Sequence, residues 1–499
     1  MCKTLHHIRK GFTIRRFFSS FFFIFISLFA SAFFPAYALS NAAFSEKSDI
    51  IAQLPADSLV VIESISIRGN RTTRDHIIMR EIEFSEKDTL SPGQLPILLE
   101  ESIRNLQNTS LFNFVNSTIL HGSFSNAFIV EFEFVERWYL WPSPIFSLTS
   151  VNFNQWIQKP VINQTNYGFL LVKDNFRGRR ERLSFLLQGG YSKNFEFSYL
   201  IPYLTASQTL GLNVWLGYRQ ENRTHYLTGN NQRLFFDPQN DFALNNFFAS
   251  LGLTMRNKIH VYHEWFIRYN QYSFHDSLVH LNPGFAPNRN NQPTFFSIYY
   301  KLKNDHRDQK YYPLTGHYFD FRLWRHGLGI LSANNVDLTT IESSFRKYWK
   351  IKSRWYFASG LNAKISAGRH QPYYLQQGLG FLGDIVRGYE NFVIDGQHFW
   401  VAKTNLKYAL VPYRIYQMPF FQNQKFSLIH YRIFMNIFVD GGYVHDDFFH
   451  HQNPYSNTML GSTGVGIDFV TYYDKVFRTE FSVSRHGNIG VFFHLIAPI

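Results

Sequence analysis

From Ile145 to the end of the chain, apolar and polar residues alternate in short segments, and no stretch follows the period of a helix. In Asn194–Ile201 every second residue is apolar, and Phe477–Val483 shows the same pattern. Glycine, asparagine, aspartate and proline separate such segments. Because neighbouring side chains of a β-strand point to opposite faces, this alternation predicts strands with one apolar and one polar face.

The region contains sixteen candidate strands, eleven before a long loop at 368–398 and five after it. They are approximately residues 145–152, 166–174, 181–190, 194–203, 208–220, 242–257, 259–272, 294–304, 316–327, 336–350, 353–367, 399–410, 429–444, 459–469, 476–485 and 489–496. Bacterial outer-membrane barrels have an even number of strands, and each strand crosses the membrane with about 10 residues. Sixteen strands therefore predict a closed barrel over 145–499, with long connections on the outer side and mostly short ones on the other.

Composition favours the same fold class, an all-β membrane protein. Aromatic residues make up 18% of the chain, whereas charged residues make up 17% and the mean hydropathy is only −0.20. Intrinsic disorder is excluded by the aromatic content, and a helical membrane protein would show repeated apolar runs of about 20 residues. An apolar outer face, a polar interior and aromatic girdles are typical of a transmembrane barrel.

One long apolar run stands at the N-terminus. Five basic residues precede Phe17–Phe34, and Ala36-Tyr37-Ala38 offers a cleavage site. This order predicts a secretory signal peptide over 1–38, with an uncleaved anchor helix as the alternative, followed by a linker over 39–59. Cleavage would remove Cys2, the single cysteine, and would lower the formal net charge from +13 by five. The remaining basic excess suits an anionic membrane surface or an acidic lumen, and no nucleic-acid-binding motif is present.

Residues 60–137 follow a different pattern, that of a small α/β domain. Val60–Arg68 alternates as a strand, and a helix is predicted over 74–82. A second helix begins near Ser91-Pro92 and carries an apolar stripe at spacings of three and four. Two further strands are predicted over 112–120 and 127–136.

This domain resembles a POTRA domain, the polypeptide-transport-associated module of the periplasm. The matching residues include Gly69-Asn70 after the first strand and Leu111-Phe112 after the second helix. An unrelated small α/β domain is the alternative interpretation.

The loop between the eleventh and twelfth strands contains Val386-Arg387-Gly388-Tyr389. In this position, after a POTRA-like domain, the motif resembles the outer-membrane assembly-factor superfamily, which includes BamA-like, TamA-like and two-partner-secretion proteins. The resemblance implies that the loop folds into the barrel lumen. It also implies that Arg387 pairs with the acid of an Asp-x-Gly strand motif, here Asp440. A solvated loop arginine is the alternative.

Two positions depart from the family pattern. Lys407 stands where many relatives carry an acidic residue, which leaves a second carboxylate partner of Arg387 in doubt. The chain ends in Ile499 rather than in an aromatic residue.

The resemblance implies an insertase or translocase of the outer membrane of a Gram-negative-type bacterium, with the POTRA domain in the periplasm. Its partners would be the lipid bilayer, unfolded outer-membrane or secreted polypeptides, and periplasmic or lipoprotein accessory subunits. Candidate seam strands are 145–152 and 489–495, represented by Ile145, Leu148, Val491 and Phe493. A dedicated secretion translocase and a passive pore or surface receptor are the alternatives. No nucleophile elbow or metal-ligand spacing occurs, so no enzymatic activity, cofactor or metal is expected.

Overall fold

The computed structural model describes residues 55, 58–148, 165–238, 241–331, 336–380, 384–418, 427–471, 473 and 475–495. The predicted signal peptide lies outside the described residues, as does nearly all of the predicted linker. Within the described ranges, the chain forms a small N-terminal domain followed by a sheet of sixteen strands. None of the helices in these ranges is long and apolar enough to cross a membrane.

The N-terminal domain has the predicted order of strand, helix, helix, strand and strand, with one short strand added. Its elements are β1 (Val60–Arg68), α1 (Asp75–Met79), β2 (Thr89–Leu90), α2 (Gln94–Asn108), β3 (Phe112–His121) and β4 (Ala127–Glu136). The sheet order is β2-β1-β4-β3, in which β1 and β4 are parallel and the other pairs are antiparallel. The core includes Ile62, Ile77, Leu106, Phe128 and Phe132, all at most 1% exposed.

Two local predictions for this domain were wrong. The first helix was expected to span 74–82, but it ends at Met79. The next residue, Arg80, extends its guanidinium to the carbonyl of Gln208 in the barrel, with a 3.0 Å distance from Nε to O, and the chain turns there. The strand β2 was missed because two residues are too few to show an alternating pattern.

All sixteen predicted barrel strands are present, which confirms the fold class. They are β5 (Leu140–Leu148), β6 (Thr165–Phe176), β7 (Glu181–Gly190), β8 (Lys193–Ile201), β9 (Leu210–Glu221), β12 (Leu244–Met255), β13 (Val261–Phe274), β14 (Thr294–Asp305), β15 (Gly316–His326), β16 (Asp337–Lys352), β17 (Trp355–His370), β18 (His398–Gln417), β19 (Leu428–His445), β20 (Met459–Thr471), β21 (Lys475–Ser484) and β22 (Ile489–Leu495). Each strand pairs antiparallel with its neighbours in this order.

The first barrel strand begins at Leu140, five residues before the predicted start at Ile145. Pro142 and Pro144 interrupted the sequence pattern, yet both lie inside β5 and are exposed. Proline cannot donate a hydrogen bond to a sheet, so within sheets it is found at edges. The presence of two prolines in β5 agrees with the position of this strand at one end of the sheet order. Residues 149–152, the predicted end of this strand, lie outside the described residues.

The two faces of the barrel strands differ in polarity as the sequence predicted. On β21, Phe477, Phe481 and Val483 are exposed, whereas Arg478 and Glu480 are buried. Apolar side chains on the outer face and polar side chains on the inner face are the arrangement of a transmembrane barrel.

The connections alternate between the two ends of the barrel. On the end next to the N-terminal domain, which we call the domain side, they cover 177–180, 202–209, 256–260 and 306–315, among others. The far side carries longer connections, including 222–243, 275–293 and 371–397. Two of these contain structure that the sequence did not predict, the hairpin of β10 (Thr224–Gly229) and β11 (Gln232–Phe236), and the helix α3 (Asp276–Leu281).

The N-terminal domain is docked onto the barrel through a buried carboxylate. Glu81 accepts hydrogen bonds from Arg256 and from Arg180 Nη1, the second at 3.1 Å, and its side chain is 1% exposed. Tyr203 packs into the core of the domain. Burial by itself raises the pKa of Glu81, but Arg256, Arg180 and Arg80 lower it by more, so that the pKa falls from 4.5 to about 2.

The stability of the docked arrangement should therefore depend on pH under acidic conditions. The pKa of Glu81 is depressed in the docked state, so its contribution is fully present above pH 4.5 and is lost as the pH falls towards 2. We expect Glu81→Gln to weaken docking by about 3 kcal/mol, because it leaves the half-buried guanidinium groups of Arg256 and Arg180 without their counter-charge. Spin labels on cysteines at Ser125 and Lys350, both exposed, would report a broadened distance distribution.

The matched control is Glu100→Gln, because Glu100 is 73% exposed and pairs with Arg104 on the domain surface. This variant should keep the narrow distribution and the acid transition of the unmodified chain. A Glu81→Gln chain with an unchanged distribution at neutral pH would contradict the assigned role of the carboxylate.

Candidate functional site

The far-side connection 371–397 contributes buried residues to the barrel lumen. Val386 and Tyr389 pack with Phe399, Val444 and Leu460 of the barrel strands. The hairpin of β10 and β11 lies against the same connection, where Asn231 Nδ2 donates to the carbonyl of Val393 at 3.2 Å. The part of the connection from Val386 to Val393 therefore lies inside the barrel rather than in solvent.

Arg387 and Asp440 form a two-pronged ion pair on the lumen wall. The distance is 2.7 Å from Arg387 Nε to Asp440 Oδ2 and 2.6 Å from Nη2 to Oδ1. The backbone N–H of Arg387 also donates to Asp440 Oδ2, at 3.3 Å. Both side chains are buried. Such planar, two-pronged geometry is specific to arginine, because a lysine ammonium offers only a single point charge.

Three further groups complete the surroundings of Arg387. Nη1 donates to Glu480 Oε1 at 3.0 Å and to Asn405 Oδ1 at 2.8 Å. The guanidinium carbon lies 3.8 Å from the ring centroid of Phe438. Arg387 thus has two carboxylates, an amide and an aromatic face around it, and the carboxylates compensate its charge.

A second carboxylate partner of Arg387 therefore exists, but it lies on β21 rather than on β18. Lys407 is buried on β18, where its ammonium lies 4.3 Å from the ring centroid of Tyr312. Sequence analysis did not select Glu480 as a site residue. Its alternation with Phe477 and Phe481 placed it on the polar face, which was the only available signal.

The other two motif residues shape the connection around Arg387. Gly388 has a φ of +87°, a conformation that side chains disfavour, and it lies close to Ser462 and Ser482 of the wall. The hydroxyl of Tyr389 is 2.6 Å from Nδ1 of His486 in the connection between β21 and β22. These contacts attach the motif to the last strands of the barrel.

A turn from the domain side also enters the lumen. Tyr312, in the connection 306–315, is 2% exposed, and its hydroxyl donates to Asp468 Oδ2 at 2.6 Å. Arg478 binds the same carboxylate with two hydrogen bonds of 2.6 and 2.9 Å. Arg478 Nε is also 3.7 Å from Glu480 Oε1.

These contacts form one chain of alternating charges along the lumen wall, which we call the lumen charge chain. It consists of Asp440, Arg387, Glu480, Arg478 and Asp468. One end holds the far-side connection and the other end holds the domain-side turn through Tyr312. Among the described residues, no group of three or more His, Cys, Asp or Glu side chains is placed to hold a metal ion.

The candidate seam strands are the two ends of the sheet order. Over the residues that the structure describes, β5 pairs only with β6, and β22 pairs only with β21. Val491 and Phe493 are exposed on β22, and Ile145 is half-buried on β5. Leu148 belongs to β5, but its side chain lies outside the described part.

Near the domain side, the first barrel strand contacts the connection between β20 and β21. The ring of Trp141 on β5 packs edge-on against Tyr473 at 5.0 Å, and the hydroxyl of Tyr473 accepts a 3.1 Å hydrogen bond from the backbone of Trp138. Tyr473 lies between β20 and β21. The contact therefore joins the first barrel strand to the last part of the barrel through Tyr473.

The motif residues of the N-terminal domain serve its fold. Gly69 has a φ of +90°, and a Cβ there would lie 2.2 Å from the carbonyl oxygen of Phe134. Asn70 Nδ2 donates to the carbonyl of Thr73 at 2.9 Å, just before α1. Leu111 and Phe112 are buried in the domain core.

Known families account for both parts of the chain. Residues 175–471 match the model of the Omp85 superfamily domain, and 60–137 match the POTRA model, described as a surface antigen variable number repeat. The chain belongs to the Omp85 superfamily. It therefore lies in the outer membrane, with its POTRA domain in the periplasm, and the domain side is the periplasmic side.

Two solved structures are similar to this chain at low sequence identity. CdiB from Escherichia coli has a TM-score of 0.50 and 13% identity over 87% of this chain and 76% of that chain. BamA from Haemophilus ducreyi, in a structure that lacks POTRA domains 1–3, has a TM-score of 0.48 and 14% identity over 88% of this chain and 84% of that chain. No curated protein matches this Omp85 chain by sequence.

Loss of the central arginine should destabilise the barrel. We expect Arg387→Ala to leave Asp440 and Glu480 buried without a counter-charge, at a cost of about 3–5 kcal/mol. The stability of Arg387→Lys should lie between that of the unmodified chain and that of Arg387→Ala, because lysine keeps the charge but loses the two-pronged geometry. The temperature at which the detergent-solubilised barrel unfolds would measure both effects. Arg369→Ala, at an exposed arginine, is the control, and equal unfolding temperatures for the two alanine variants would contradict this assignment.

The periplasmic turn should restrict passage through the lumen. We expect Tyr312→Ala to raise ion conductance in planar bilayers, because it removes a buried ring and the hydroxyl that binds Asp468. Tyr311→Ala is the matched control, since the neighbouring ring is 39% exposed. If the two variants conduct equally, Tyr312 does not restrict the lumen.

Proposed function

We propose that this Omp85 chain is an insertase that assembles β-barrel proteins at the seam between β5 and β22. Members of the superfamily act in outer-membrane protein assembly or polypeptide translocation. The observation that carries the more specific proposal is the sheet order, which over the described residues ends at β5 on one side and at β22 on the other.

An end strand can direct the folding of another strand. Lipid offers no hydrogen bonds to the backbone, so a client strand in the membrane gains by pairing with exposed N–H and C=O groups. Over the described residues, β5 and β22 each pair with one neighbouring strand, whereas every other strand of this sheet pairs with two. Opening the sheet at this seam therefore breaks fewer of the described backbone hydrogen bonds than opening it at any other junction. The mechanism requires no catalytic residue.

The contents of the lumen favour this lateral route over passage through the barrel. Arg387 enters the lumen from the outer side and Tyr312 from the periplasmic side, and the lumen charge chain joins them. A secretion translocase or a passive pore would have to break these buried ion pairs in order to open. In this proposal, the Val386–Tyr389 motif and Asp440 instead hold the barrel wall next to the seam.

The POTRA domain offers an exposed aromatic side chain on the periplasmic side. Phe124, in the connection between β3 and β4, is 73% exposed. In this proposal, the domain receives unfolded outer-membrane or secreted polypeptides, or periplasmic or lipoprotein subunits.

A cross-link over the seam would test the proposal. In a Cys2→Ser background, cysteines replace Phe146 on β5 and Val491 on β22, both of which are exposed on the outer face of the sheet. We expect the disulfide to abolish insertion of client barrels into the membrane and the reductant to restore it. Full activity of the cross-linked protein would rule out the seam.

The control cross-link joins two strands away from the seam. Leu323 on β15 and Ile341 on β16 are register partners, so cysteines at these positions would lock a junction that the mechanism does not use. This variant should stay active. Depletion of the protein, followed by a census of outer-membrane proteins, distinguishes the candidate roles. Broad loss indicates an insertase, whereas loss of one secreted product indicates a dedicated translocase.

A further inference from the structure

A polar cavity lies between the POTRA domain and the periplasmic end of the barrel. Its volume is about 380 Å³, and it is lined by the domain, by the turn after β6, and by β12–β14 with their turns. The cavity is separate from the seam and from the lumen charge chain. Its lining contains five lysine and arginine residues and three acidic residues.

The acidic side chains of the cavity already have partners. Glu81 binds Arg256 and Arg180, as described above. Asp305 forms a two-pronged pair with Arg307, with distances of 2.7 and 2.8 Å. Glu264 accepts a hydrogen bond from Asn213 at 3.4 Å.

Three lysines of the cavity lack an acidic partner. They are Lys301, Lys303 and Lys310, and none forms an ion pair with a carboxylate of the described residues. Lys303 Nζ lies 5.1 Å from the ring centroid of Tyr262, and Lys310 Nζ donates to the carbonyl of Asn108 at 2.6 Å. Positive charge is therefore in excess in a partly open cavity, where a half-buried charge without a counter-ion is unfavourable.

The pKa of Lys310, in the connection between β14 and β15, shows the effect of this excess of positive charge. Burial lowers the pKa of Lys310 to about 7, and the positive charges of Arg180 and Lys303 add to the shift. Asp305 and Glu81 act in the opposite direction but do not offset it. A bound anion would compensate the charge of this ammonium group.

We propose that the cavity binds an oxyanion, a carboxylate or a phosphate-type group, through Lys303, Lys310 and the guanidinium of Arg180. The carboxylate could come from a polypeptide and the phosphate from a lipid or a free metabolite. The site lies where the two domains meet, with Lys310 bonded to Asn108 of the POTRA domain. A bound anion would hence stabilise the docked domain, because it binds only when both walls of the cavity are in place. This inference holds whether or not the seam inserts clients.

Calorimetric titration of the full chain in detergent with sodium sulfate at constant ionic strength would test the site. We expect one saturable sulfate site and at least tenfold weaker binding in Lys303→Met and Lys310→Met, whose side chains keep similar volume. Lys303→Arg keeps the charge and should keep binding. Lys350→Met is the control, because Lys350 is exposed on β16 outside the cavity. The absence of sulfate binding would overturn the proposal. An unchanged sulfate affinity in both the Lys303→Met and the Lys310→Met variant would also overturn it.

The pH dependence and two further probes sharpen the test. Sulfate stays doubly charged from pH 6 to 8, so its affinity should fall over this range as Lys310 loses its proton. Titrations with inorganic phosphate and with a short peptide that has a free carboxyl terminus then distinguish the two sources of the anion. Tighter binding of the peptide than of its amidated form indicates a polypeptide ligand, and preference for phosphate indicates a phosphate-bearing one. An affinity for sulfate that is constant across this range would remove Lys310 from the site.

Discussion

The architecture depends on one constraint, that backbone polar groups inside a lipid bilayer must find hydrogen-bond partners within the protein. The sixteen antiparallel strands meet it by pairing in sequence order. Alternation then places apolar side chains towards lipid and polar ones towards the lumen. The lumen consequently holds many ionisable groups away from bulk water, and each needs a counter-charge. The lumen charge chain provides it on the wall formed by the last strands.

The lumen charge chain also explains how two distant connections are held in one barrel. Salt bridges that are buried contribute little net stability compared with apolar packing, but the loss of one partner is costly. Arg387 and Arg478 share Glu480, so the outer connection and the periplasmic turn are linked through a single carboxylate. The outer connection and the periplasmic turn are therefore held by one set of ion pairs. Over the described residues, β5 and β22 have a backbone-paired neighbour on one side only.

Local patterns predicted most of the fold, because strand alternation and the helix stripe of 60–137 are properties of neighbouring residues. Arg387 and Asp440 were matched only through the family motif, since 53 residues separate them and no local signal joins them. Glu480, Tyr312 and Glu81 were missed for the same reason, because their partners come from other strands or from the other domain. Pro142 and Pro144 misled the placement of the start of β5, because proline interrupts the strand pattern in the sequence although a sheet tolerates it at an edge.

The buried Glu81 couples the two parts of the protein thermodynamically. Its two arginines come from different hairpins, Arg180 from the turn between β6 and β7 and Arg256 from the turn between β12 and β13. A barrel in which either hairpin is unformed offers one arginine too few, and burial of the carboxylate is then unfavourable. Docking of the periplasmic domain and completion of the first half of the barrel are therefore cooperative, and a docked domain reports that those strands have folded.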